Sequence, residues 1–130
     1  MTAPSVPVSW GELWDKIAIL RIKVDRLRDP SARANAAHEL AALTAVGGEP
    51  PRPLRPLLSG LLAVNLRLWR IEDRIREHEA AGDFGPTFVA LARSVYREND
   101  ERWRIKAAIN RVLGSEVVEE KQYSAYGQAP

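Results

Sequence analysis

Lysine is scarce in this sequence, and its amide side chains fall in unexpected places. Of the 19 basic residues only four are lysine, Lys16, Lys23, Lys106 and Lys121, and the rest are arginine. Lysine is a compact point charge on a flexible stem, whereas arginine is a planar fork. A chain that uses arginine by default therefore draws attention to its lysines. Counting three and four residues at a time from Phe88 gives Phe88, Ala92, Tyr96, Asn99, Trp103, Lys106, Asn110 and Leu113. Residues spaced in this way share one face of a helix. The ends of this stripe are apolar, but its middle carries two amides, an ammonium and a phenol.

Two other helical stripes turn polar in the same manner. One reads Leu58, Leu62, Asn65, Trp69, Glu72, Arg76, and the other reads Glu12, Lys16, Ile19, Lys23, Arg26. Buried amides and charges need hydrogen-bond partners. If the three runs converge, Lys16, Lys23, Asn65, Glu72, Asn99 and Lys106 form one site, walled by Tyr96 and Trp103, with Arg93 at the rim. A mixed cationic and amide lining between bundle helices suits a small anionic or sugar-like ligand. The same patch would also serve to dock a partner enzyme. A catalytic version gives Lys16, Lys106 and Arg93 the task of holding developing negative charge, with Glu72 as acid or base. A structural version makes the polar run a register-setting layer, with Glu72 paired to Lys106 or Asn65 to Asn99, and with the lysines snorkelling along a solvated flank.

Other chemistries lack their residues. His38 and His78 are isolated, so no metal site is expected. Glu72-Asp73 and Glu119-Glu120 are adjacent pairs, and neighbours on a helix point about 100° apart. Neither pair is a ready acid/base dyad. There is no Gly-rich phosphate loop, Ser94 and Ser115 have no base at a telling spacing, and no cofactor is implied. Basic and acidic residues number 19 and 17, a net charge of +2 with the arginines scattered, which argues against a nucleic-acid partner. The absence of cysteine excludes disulfides and thiolate sites. No stretch approaches the ~18 apolar residues of a membrane span. MTAPSVPVSW has neither a basic nor an apolar signal region, and the expected location is cytoplasmic.

The elements that must position these residues are helices. Residues 1–8 read as a flexible leader, 9–114 as a helical bundle domain and 115–130 as a tail. Ser9 and Glu12 form a capping box, Leu13, Ile17, Leu20, Val24 and Leu27 make an apolar seam, and Asp29-Pro30 ends that helix and starts the next. An Ala-rich helix over about 31–45 stops at Gly47-Gly48, before the polyproline-like GGEPPRPLRP. A long helix to Ala81 carries the seam Leu54, Leu57, Leu61, Val64, Leu68, Ile71, Ile75, which predicts it as the central helix. The tight GDFGP connection returns the chain antiparallel into a helix over 86–113, ended by Gly114. Val117, Val118, Tyr123 and Tyr126 would fold the tail over the bundle, unless it is mobile. The expected fold is an all-α antiparallel bundle of three to four helices. Two such long helices in a small chain predict a homodimer that covers their flanks.

The stretches SWGELWDKIAILRIKVDRL, VNLRLWRIEDRIR, LARSVYRENDERWRIKAAIN and GSEVVEEKQY together resemble a family of small bacterial proteins of unknown function. The resemblance implies a complete protein of this length and brings no activity with it. ELWDKIAILRIKVDRL is also similar, more distantly, to the first helix of the all-helical chorismate mutases, small bundles that hold an anionic substrate with side chains from facing helices. That family's first helix is longer, and Pro30 interrupts this one.

Overall fold

The computed structural model describes residues 1–123. Among them are four helices, α1 (Trp10–Arg26), α2 (Pro30–Gly47), α3 (Arg55–Ala81) and α4 (Pro86–Leu113), with a 3-10 turn at Arg52–Leu54 and no strand. The fold is the all-α bundle expected from the sequence.

Helix starts and stops follow local chemistry. The Ser9 side chain accepts from the Glu12 amide at 3.1 Å, and Asp29 accepts from the Ala32 amide at 2.9 Å with Pro30 as the first helical residue. Gly82 and Gly114 end α3 and α4 with φ of 65° and 58°, a left-handed conformation that side chains with a Cβ resist. α2 runs two residues beyond the Ala-rich stretch, to Gly47.

The core joins Leu13, Trp14, Ile17 and Ala18 of α1 to Leu54, Leu61, Val64 and Ile109. Each large aliphatic among them stabilises the fold by about 1.5–3 kcal/mol through burial. The helix at the centre is α1, which packs against α2, α3 and α4, and not α3 as its seam predicts. The reason lies in how α1 is covered. Besides Leu13, Ile17 and Leu20, it buries Trp14, Ala18 and Ile22 on other sides. α2, with Ala36 as its one buried residue, packs on α1. The proline-rich connection is folded rather than extended. Its 3-10 turn drives Leu54 fully into the core.

α3 and α4 form the antiparallel hairpin that the GDFGP connection predicts. Asn65 faces Arg102 and the later Arg67 faces the earlier Glu98. After Gly114, residues 115–123 run without helix back along α4. Val117, Val118 and Tyr123, expected to pin this segment, are 39%, 54% and 79% exposed. Charge holds it instead, as described below. Tyr126 lies outside the described residues.

Candidate functional site

Two close approaches fix the geometry of the site. The first is the crossing of α1 and α4. A Cβ at Gly11 would stand 2.5 Å from the Lys106 carbonyl oxygen, so the two backbones meet here and glycine is what permits it. The α1 N-terminus is consumed by this contact. The Gly11 amide donates to Asn110 Oδ1 at 2.7 Å, and the Trp10 amide donates to Ser115 Oγ at 3.2 Å. The amides that a helix start offers to an anion are thus taken up, those of Trp10 and Gly11 by Ser115 and Asn110 and that of Glu12 by Ser9.

The second approach brings Lys106 into contact with α1. Its side chain is 8% exposed. Its ammonium donates to Glu12 Oε2 at 2.7 Å and lies 3.8 Å from Asp15 Oδ2. Glu12 therefore spends its carboxylate on Lys106 and not on the return half of the capping box. Asp15 is buried and accepts from Asn65 Nδ2 at 2.8 Å, while Arg102 donates to Asn65 Oδ1 at 3.3 Å. One network thus joins three helices through Lys106, Asp15, Asn65 and Arg102. Burial by itself lowers the Lys106 pKa, but hydrogen bonds to Glu119 and Glu12 and the Asp15 charge outweigh it and hold the ammonium above its ordinary range.

The third partner of Lys106 comes from the tail. Glu119 Oε2 sits 2.6 Å from the ammonium and its side chain is 43% exposed. Lys121 donates to Asp100 Oδ1 at 2.6 Å. Between α4 and these tail residues lies an open groove of about 900 Å³. Tyr96, Asn99, Trp103 and Lys106 line it on the α4 side, with residues 119–123 on the other. The side chains of Asn99 and Trp103 have no hydrogen-bond partner among the described residues. Tyr96 stands at the exposed end, where a hydrogen bond from Arg93, aided by the Arg93 and Arg97 charges, holds its phenol below the usual range.

The residues singled out from the sequence therefore separate. Lys106 and Asn65 share a buried network, and Asn99, Tyr96 and Lys106 share the groove, with Arg93 beside Tyr96. Lys16 is exposed and Lys23 half-buried on α1, and neither lines the groove. Glu72 pairs with Arg76 one turn along α3, an exposed i,i+4 contact, and not with Lys106. The cause is rotation about the helix axes. α1 turns Glu12 and Asp15 toward Lys106, while Lys16, one turn on from Glu12, faces solvent and Lys23 lies half-buried beyond it. Asp15 and Glu119 were missed. Asp15 lies among Leu13, Trp14, Ile17 and Ala18, all buried, and an acid so surrounded was the available signal. Glu119 sits in a segment with no periodicity to read.

Among the described residues no group of three or more metal-type ligands is placed to hold an ion, and no helix is long and apolar enough to cross a membrane. The fold and groove define a small all-α bundle with a polar cleft beside α4. Residues 5–130 match the DUF6165 family, a family of unknown function, and the chain belongs to it. No curated protein and no solved structure matches the chain.

Proposed function

We propose that this chain is a binding protein whose groove between α4 and residues 119–123 takes a small anionic or sugar-like ligand. The observation that carries the reading is the contrast inside the groove. Lys106 and Arg102 are held in place by partners, whereas the amide of Asn99 and the indole of Trp103 face the cleft with no hydrogen-bond partner among the described residues. An amide serves hydroxyl groups as donor and acceptor. An indole offers a flat face and one N–H. Clefts with a few converging polar groups are the usual form of small-ligand sites. A purely structural layer explains Asn65, Lys106 and Asn110, each of which is satisfied within the protein. It gives no account of Asn99. The catalytic version needs Glu72 near Lys106, and Glu72 is paired elsewhere.

The test is a titration of the labelled full chain with glucuronate, glucose and inorganic phosphate, followed by amide and indole NMR shifts. Shifts confined to Tyr96, Asn99, Trp103 and residues 119–123, and lost in Asn99→Leu, support the groove. No saturable shift with any of the three, or shifts centred elsewhere, overturns it.

A further inference from the structure

We propose that residues 115–123 act as a built-in competitor for the groove, with the Glu119 carboxylate standing where the carboxylate of a hydroxylated monocarboxylate ligand would bind Lys106. This rests on the groove reading above: the ligand keeps the α4 wall of Tyr96, Asn99, Trp103 and Lys106 and takes the place of residues 119–123, and the inference adds its charge and the way its access is controlled.

The path of the segment comes first. Ser115 donates its amide to the Asn110 carbonyl, Glu119 reaches Lys106, and Lys121 reaches Asp100. As the segment advances, its contacts step back along α4. The pairing is complementary in sign, with the acid of the segment on the base of α4 and its base on the acid. Lys121 also lies 5.1 Å over the Tyr123 ring, a contact within the segment itself.

The mode of attachment comes second. A segment meant to stay would bury its apolar residues, yet Val117, Val118 and Tyr123 are all exposed. Beyond Val117, two ion pairs hold it, and the side chains of Glu119 and Lys121 are 43% and 20% exposed. The Glu119 carboxylate is the exposed partner of its pair, so salt weakens the hold of the segment. An open state is then a minor but accessible population that a ligand can select.

Release exposes a specific vacancy. An ammonium has three donors. Glu12 and Glu119 accept hydrogen bonds from Lys106, whereas Asp15 at 3.8 Å is an ion-pair contact too long for one. When Glu119 leaves, one donor of Lys106 is freed on the groove side while Glu12 and Asp15 hold the side chain in place. The charge balance then selects the ligand. Lys106 and Arg102 offset Glu12 and Asp15, so the network is neutral without Glu119. A group carrying one negative charge restores the present state. A dianion adds a further negative charge beside Asp100, which lines the groove from α4 and loses Lys121 when the segment leaves. This favours a carboxylate over a phosphate. Asn99 and Trp103 add places for hydroxyls and a ring.

The experiment titrates wild type, Glu119→Gln and Lys121→Gln with glucuronate and with inorganic phosphate, recording amide hydrogen exchange at residues 116–123. Glutamine keeps the shape of Glu119 but gives up its charge. Lys121→Gln loosens the segment without touching Lys106. Expected are glucuronate binding up to about fivefold tighter in either variant, weaker binding of phosphate than glucuronate, and faster exchange at 116–123 when wild type binds glucuronate. Glucuronate that binds wild type but no tighter in either variant overturns the competitor and leaves the groove reading standing. Preference for phosphate overturns the ligand class. No binding to any of the three proteins overturns the groove reading itself, and this inference with it.

Discussion

The two halves of α4 use polar residues in opposite ways. From Arg102 onward, Lys106 and Asn110 are buried, and each is tied to α1 by a hydrogen bond of 2.7 Å. Before Asp100, Leu91 is the one buried residue, Tyr96 is exposed, and Asn99 has no partner among the described residues. The difference follows from what crosses the helix. α1 meets α4 at Gly11, opposite Lys106, whereas before Asp100 the cross-helix bond is that of Glu98 with Arg67 of α3, and Tyr96 and Asn99 line the open groove. One helix thus carries a set of satisfied polar groups that position the chain and a neighbouring set left open to the groove.

If this division is right, substitutions in the first set cost stability and those in the second do not. The largest loss is expected for Lys106→Met. It leaves Asp15 and Glu12 facing each other without a cation, and breaking a buried charge network from one side costs about 3–5 kcal/mol. Urea unfolding checks this, and adding Asp15→Asn should recover part of the loss. Gly11→Ala comes next. Its methyl group would meet a backbone carbonyl, which cannot rotate away, and overpacking of this kind costs about 1–3 kcal/mol. If Gly11→Ala unfolds at the same urea concentration as wild type, the α1–α4 crossing is not as close as described. Asn110→Ala should cost about 1–2 kcal/mol by leaving the buried Gly11 amide unpaired.

A smaller effect is expected from pH. The Lys106 pKa is raised on folding, so its contribution is complete below the ordinary lysine value of 10.5 and is lost as pH rises through the raised one. Wild type should therefore lose stability above that value more steeply than Lys106→Met does, in chemical denaturation followed from neutral to strongly alkaline pH. Equal slopes would place the ammonium outside the network.

Much of the fold could be read in the sequence because its signals are local. Ser9, Asp29-Pro30, Gly82 and Gly114 mark helix ends by their own conformational preferences. The site was legible in part. Lys106 stood out as a rare lysine in the polar middle of a stripe with apolar ends, and Asn65 as an amide between Leu62 and Trp69, one step off the leucine seam. The partner of both, Asp15, was not read, since pairing depends on how α1 is rotated against two other helices, and periodicity along one helix does not fix that rotation. The same gap sent Lys16, Lys23 and Glu72 to a convergence they do not make. The tail was expected either to dock through its valines and tyrosines or to be mobile. Its two ion pairs depend on a reversal at Gly114 that places Glu119 and Lys121 beside α4.

The most direct measurement sets Asn99→Leu beside Lys106→Met in thermal unfolding of the ligand-free chain. Residues kept for a ligand commonly cost stability, and relieving them raises the melting temperature. The account predicts that Asn99→Leu melts at or above wild type, while Lys106→Met melts lower by more than about 10 °C. An Asn99→Leu variant that falls as far as Lys106→Met, or a Lys106→Met variant that melts higher than wild type, would contradict the division of α4 on which the groove reading stands.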